Sequence, residues 1–256
     1  MIPKNIFFYW DGILPDEVKN NINNYKNKNS EFNVKLLTND DINKYKEKYS
    51  KLVEFFNLAT ISAFKSDIIR LIYLHEEGGI WIDCNTTLTN DNGVRILFEI
   101  YKEYDFVLTI LPNTKHKFDL GAMVLISKPK ARIVYESIIS MTVNISKHFN
   151  IEKNNKEYVA YNYFLFIVPV VTCKILDYKI DDHPFRNSLV TKFIRDNNNN
   201  NITSIDLPKF KEYNCGIWFP NPNQLRLYGC NMNHHHGKNM HKHWSELQKH
   251  QKLFNI

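Results

Sequence analysis

The sequence predicts an α/β fold built on a central, mostly parallel sheet with helices on both faces. Two observations carry that expectation. Short runs rich in Ile, Val, Phe and Trp alternate with longer segments of helical period, as strand–helix–strand units do. The first run, NIFFYW from Asn5 to Trp10, is apolar along its whole length, which suits a strand sandwiched between two helical layers. A chain of 256 residues with 43% hydrophobic and 14% aromatic content suits one large domain rather than two.

Each element follows from local chemistry. Asp11-Gly12 ends the first strand, and Pro15 near the first turn opens a helix to about Asn29. Phe32 to Thr38 is a second strand, after which Asn39 or Asp40 caps a helix through Asp41-Ile-Asn-Lys-Tyr. Thr60 to Glu77 is the clearest helix. Its stripe of Ile61, Phe64, Ile68, Leu71, Ile72 and His75 faces a core. Ile80 to Ile82 is a short strand, and Asp105 to Leu111 and Gly121 to Ser127 are two more. Helices are expected at Ala131 to about His148 and Tyr161 to about Tyr178. The asparagine run at Asp196 to Asn201 reads as a surface loop, and pattern is weak from there to His234.

Bulk properties narrow the function classes. The formal charge of +6 and a pI near 8.9 suit an anionic partner, but the lysines are dispersed and interleaved with asparagine, as in AT-rich genomes. No nucleic-acid-binding pattern is present, and none is expected to function here. The four cysteines, Cys84, Cys173, Cys215 and Cys230, form no CxxC pair, which favours reduced thiols and a cytoplasmic setting. No apolar run is long enough for a transmembrane helix, and the N-terminus lacks a signal-peptide pattern.

The chemistry concentrates in TISAFKSDIIRLIYLHEEGG and the GGIWIDCNTT that overlaps its end. Ser66, Asp67 and Arg70 interrupt the apolar helix at its middle, and Asp67 and Arg70 are neighbours at i, i+3. Two placements fit them: a surface ion pair, or a pair facing a cleft. Gly78-Gly79 end the helix and turn into Ile80-Trp81-Ile82. That strand delivers Asp83 at its carboxyl end, where open α/β sheets bind ligands. Asp83 and Asn85 are hard oxygen donors of the kind that hold Mg²⁺ or Mn²⁺ on a diphosphate.

In this order and spacing, S66-D-I-I-R70, the glycine pair and I-W-I-D83-C-N85 resemble the sugar-binding segment of glycosyltransferase family 32, in its capsular polysaccharide synthesis branch. IPKNIFFYWDG, FNVKLLTNDD, KFDLGAMVLISKPKARIVYESI and YNYFLFIVPVVTCKIL are similar to further segments of that family, and NHHHGKNMHKHW to its closing motif. The likeness covers residues 2 to 178, loses register from 180 to 230 and returns at the end.

The resemblance implies a GT-A, Rossmann-like fold and transfer of a hexose from a nucleotide-diphosphate sugar, UDP-sugar foremost, to a glycan or glycoconjugate hydroxyl. It divides the single domain 1–256 into a nucleotide-sugar-binding half (1–111), an acceptor-side half (112–230) and a closing segment (231–256). Tyr9 and Trp10 would lie against the donor base, with Trp10 stacking on it. Asp67 would bond donor hydroxyls, Arg70 would position it, and Asp83 would bind ribose or, through water, the metal. Asn85 would stand where the second aspartate of D-x-D usually binds Mn²⁺ or Mg²⁺, a departure that weakens the expected metal affinity.

Within His234-His235-His236, His235 is the candidate third ligand, and imidazole favours Mn²⁺. Asp119 is the acceptor-side carboxylate. Trp244, with Leu247 and Phe254, would form one face of a closing helix with Lys249 and Lys252 opposite. That helix could serve as a donor lid, pack on the core or make peripheral membrane contact. Two other classes compete: a non-catalytic sugar-nucleotide binder and a His-rich metal-binding module.

Overall fold

The computed structural model of the chain describes residues 1–113, 117–176, 208–218, 220, 223–226 and 244–256, with backbone alone at 110–113, 117–120, 164, 170, 173–174 and 244–245. In chain order the elements are β1 (Asn5–Tyr9), α1 (Asp16–Lys28), β2 (Asn33–Leu37), a 3-10 segment (Asn39–Tyr45), α2 (Ser50–Leu58) and α3 (Ser62–Glu76). There follow β3 (Gly79–Ile82), β4 (Thr87–Leu88), α4 (Gly93–Tyr101), β5 (Phe106–Asn113), β6 (Lys117–Ser127) and α5 (Arg132–Lys153). A 3-10 turn (Tyr163–Leu165), α6 (Val168–Ile175), α7 (Pro208–Glu212), β7 (Cys215–Trp218), β8 (Leu225–Arg226) and α8 (Trp244–Leu247) complete the description.

Six strands form one mixed sheet in the order β2-β1-β3-β6-β5-β7. β1 pairs in parallel with β2 and β3, and β5 with β7. β6 runs against both neighbours, so the sheet is parallel everywhere except around that strand. β4 and β8 make a separate two-stranded ribbon.

Alternation along the strands sorts side chains into two cores. Phe7, Tyr9, Trp81, Leu108 and Leu125 join the residues of α2, α3 and α5 on one face. Ile6, Phe8, Ile80, Ile82, Val107 and Val124 join α1 and α4 on the other. The expected coverage of both faces is therefore present, and it explains why β1 is apolar throughout. α3 is the most enclosed helix: every residue from Asp67 to His75 is buried, charged ones included.

The glycine pair has a steric cause. Gly78 and Gly79 adopt φ of +64° and +125°, which L side chains rarely adopt. A Cβ on Gly79 would stand 2.6 Å from the Asn5 carbonyl oxygen, and one on Gly78 would stand 2.5 Å from Pro129 Cδ. The turn brings β3 against β1 only because both atoms are missing.

Several elements differ from expectation. The 39–45 segment is 3-10, and its N-cap is Thr38 rather than Asn39 or Asp40. Thr38 and Asp41 form a reciprocal capping box there. The helix expected over 161–178 is a 3-10 turn followed by the shorter α6. The closing helix is a single turn, α8, and Phe254 is not on it. The chain instead runs past α2 and α3, where Thr60 N donates to the Leu253 carbonyl (2.9 Å) and Asn255 N to that of Leu58 (2.8 Å). The buried carboxylate of Glu152 accepts the backbone N–H groups of Leu253 (2.8 Å) and Phe254 (3.0 Å), which fixes the extended form. Leu253 and Phe254 are buried and Leu247 partly so, making this a core-packing segment.

Gly79→Ala combines a disallowed φ with a backbone clash. It is expected to destabilise the protein by about 2 kcal/mol or more, read as a lowered urea midpoint.

Candidate active site

The carboxyl ends of β1 and β3 and the middle of α3 meet at one place. Arg70 is its centre. Its Nη1 donates to the Ala122 carbonyl on β6 (2.6 Å), and its Nη2 to Ser66 Oγ (3.1 Å) and Asp83 Oδ1 (3.1 Å). Asp67 Oδ1 lies 3.7 Å from Nη1, with both side chains about nine-tenths buried or more, so the pair does not sit on the surface. The guanidinium carbon stands 5.0 Å from the centre of the Trp81 ring, and Trp81 Nε1 donates to Asp83 Oδ1 (2.9 Å). One guanidinium thus serves two carboxylates, and the trio carries a net negative charge when both are ionised.

Burial sets the electrostatics. It pushes the Asp67 carboxyl up from 3.8 to about 6, with Arg70 opposing and the Asp83 charge assisting. Burial also raises Asp83, against Arg70 and the Trp81 hydrogen bond. Asp83 is the more open of the two, its side chain 28% exposed.

The turn after β3 is clamped from α1. Asn21 Nδ2 donates to the carbonyls of Cys84 (3.0 Å) and Thr86 (2.8 Å), and Tyr25 OH to that of Thr86 (3.1 Å). Cys84 Sγ donates to the Tyr9 carbonyl at 3.3 Å. Asn85 stands in this fixed turn, its Oδ1 buried and without a hydrogen-bond partner. An orphaned amide oxygen beside a carboxylate fits a hard divalent cation, so Asp83 and Asn85 are the described residues that could hold one. Among the described residues no group of three or more His, Cys, Asp or Glu is placed to hold a metal ion.

Beside this centre, β1 ends in a second polar group. Tyr9 OH donates to Asn39 Oδ1 (2.6 Å), and Asn39 Nδ2 to Asp11 Oδ1 (2.7 Å). Asp11 Oδ2 accepts Ser62 Oγ (2.7 Å) and lies 3.5 Å from Lys65. Burial acts to raise Asp11, but the Ser62 and Asn39 hydrogen bonds and the Lys65 charge outweigh it and hold the carboxyl below its usual range. Trp10 is half-buried and donates from Nε1 to the Ile13 carbonyl (2.9 Å).

The structure thus gathers Asp67, Arg70, Asp83 and Asn85, with Tyr9 and Trp10 at the same edge. Asp119 lies on β6 opposite Leu111, its side chain outside the description. Trp244 opens α8, likewise with backbone alone, and His235 falls outside the described residues.

Sequence reasoning missed Asn21, Asp11, Asn39 and Tyr163, the last donating from its hydroxyl to Asp67 Oδ2 (3.3 Å). One signal could have exposed Asn21: it interrupts the stripe Val18, Ile22, Tyr25 on the buried face of α1.

Residues 1–213 match the family described as "Capsular polysaccharide synthesis protein", and the chain belongs to that family. The branch read from the SDxxR and GGIWxD segments is thereby borne out. No curated protein matches the chain at a significant level. Solved structures include "PaToxG Glycosyltransferase", at 16% identity and TM-score 0.43 over 68% of each chain. They also include the catalytic domain of alpha-toxin from Clostridium novyi, at 11% identity and TM-score 0.40 over 83% of this chain and 66% of that one. The chain spans about two thirds of the length of both. None of the described helices is long and apolar enough to cross a membrane.

Two outcomes follow from the geometry. Between pH about 4 and about 6 the folded protein keeps a proton on Asp67 that the unfolded chain releases, so this stabilisation is complete below that window and lost as pH rises through it. Asp67→Asn is therefore expected to gain about 2 kcal/mol relative to wild type on going from pH 4 to pH 7.5, measured by urea unfolding at both. Asn21→Ala leaves two buried carbonyls without this donor and is expected to cost about 1–3 kcal/mol, read from the same midpoint.

Proposed function

We propose that the protein is a glycosyltransferase that moves a hexose from a nucleotide-diphosphate sugar, UDP-sugar foremost, to a hydroxyl of a glycan, polysaccharide or glycoconjugate. The observation that carries this reading is the Asp67–Arg70–Asp83 group, buried at the carboxyl end of β3 beside the orphaned amide oxygen of Asn85. Membership of the capsular family supports the same reading.

Breaking a sugar–phosphate bond develops negative charge on the leaving diphosphate and positive charge on the sugar. Asp83 and Asn85 would hold Mn²⁺ or Mg²⁺, which when bound supplies charge neutralisation for the leaving diphosphate. Arg70 fixes Asp83 through Oδ1, leaving its exposed edge toward the ligand side. Asp67 and Arg70 orient the donor, and Tyr9 and Trp10 flank its base. Enclosing the carboxylates between α3 and β6 removes water, which strengthens each of these contacts. A retaining outcome is the one the family resemblance implies; inversion would need a carboxylate base, for which Asp119 is the best remaining carboxylate near the acceptor side. His235 remains the proposed third metal ligand, and Trp244 a donor contact.

A non-catalytic sugar-nucleotide binder is the second reading, favoured by the neutral Asn85. The test is release of nucleoside diphosphate from a panel of UDP- and GDP-hexoses with Mn²⁺ or EDTA. Metal-dependent release from one donor, abolished in Asp83→Ala, is the expected outcome. Donor binding without release from any member of the panel would favour the binder. Asn85→Asp is expected to lower the Mn²⁺ concentration for half-maximal release by about tenfold, since it adds a charged ligand.

A further inference from the structure

Resting on the sugar-nucleotide reading above, we propose that Tyr163 is a positioning residue for Asp67 and that the C-terminal segment sets it, so donor affinity depends on residues remote from the donor. Among the described residues three groups hold the Asp67 carboxylate. Arg70 approaches Oδ1 at 3.7 Å, Tyr163 OH donates to Oδ2 at 3.3 Å, and the backbone N–H of Val168 at the start of α6 donates as well. An aspartate carboxylate turns readily about its last torsion. The Tyr163 hydroxyl is the side-chain donor that fixes which oxygen faces Arg70, and therefore which edge a sugar hydroxyl meets.

Tyr163 is itself held from a distance. It is 1% exposed, and its main-chain N–H donates to Gln248 Oε1 at 3.0 Å. Tyr158 OH donates to the Gln248 carbonyl in the same place. Gln248 follows α8 directly, and the chain beyond it is anchored on Thr60 and Glu152. A chain of contacts therefore runs from Gln248 to the main chain of Tyr163, from its hydroxyl to Asp67, and across the 3.7 Å ion pair to Arg70. The segment can order the donor site without any of its described residues contacting Asp67. The substrate class served is the hexosyl part of the donor, whose hydroxyls are the groups a fixed carboxylate recognises.

The experiment uses the full chain with Mn²⁺ and the panel of UDP- and GDP-hexoses. Dissociation constants and the split between donor KM and kcat are measured for wild type, Tyr163→Phe and Gln248→Ala, with circular dichroism as the check on folding. Tyr163→Phe is expected to weaken the best donor about tenfold, mainly in KM, because it removes a charge-assisted hydrogen bond. Gln248→Ala is expected to move KM in the same direction by a smaller factor. If wild type binds and both variants match it, the sugar-nucleotide reading stands and this inference fails. The same holds if melting temperature falls with donor binding unchanged, since the contact is then architectural. If wild type binds no donor, the reading itself fails, and the role of Tyr163 with it.

Discussion

The burial of Arg70 is the constraint around which the molecule is organised. An unpaired guanidinium in the interior would be prohibitively unfavourable, so its surroundings must supply acceptors. They come from four places: Ser66 and Asp67 on its own helix, Ala122 on β6, and Asp83 after β3. Pairing its two terminal nitrogens therefore ties α3 to the sheet and to the end of β3. A buried charge cluster of this kind is weak evidence for stability, since apolar residues would often serve as well. It is better explained by what the cluster can bind.

Among the described strands of the six-stranded sheet, β6 is the one that runs against its neighbours, and it has a matching role. β6 enters between β3 and β5 and brings the Ala122 carbonyl to Arg70 and the Met123 carbonyl to the Asp83 N–H, at 2.7 Å. With β3 tied to β6 on one side and β1 on the other, the Asp83–Thr86 turn has little freedom. Asn21 and Tyr25 remove what remains from the opposite face of the sheet. The candidate site is thus held from both helical layers.

Much of this was legible in the sequence, and the boundary of legibility has a physical form. Contacts within a few residues left marks. The i, i+3 spacing makes Asp67 and Arg70 neighbours but leaves open whether they face solvent or a cleft, while the glycine pair and the D-x-N turn follow from where the helix and strand periods stop. The continuous apolar run of β1 likewise announced two covered faces. What escaped depends on partners far along the chain. The extended form of Leu253 and Phe254 rests on Glu152, about a hundred residues earlier, and no local pattern distinguishes it from another helical turn. Short enclosed elements escaped too: α2, α4 and the four residues of β7 are too brief for periodicity to separate from apolar loop. Tyr163 looked like one aromatic among many because its importance lies in a hydroxyl aimed at Asp67.

The pairing of residues 58–60 with 253–255 bears on how the protein is made. During synthesis the start of α3 emerges from the ribosome long before the strand that completes its flank. For that interval Ala59 lacks its bridge to Phe254, and the ring of Phe64, which in the finished fold meets Phe166 and Phe254, lacks the second of these neighbours. The nascent domain then has an incompletely covered apolar seam at the start of α3. The flank of α3 is thus completed only after residues 253–255 have been made, and a chain stalled or clipped before them would expose that seam to chaperones and proteases.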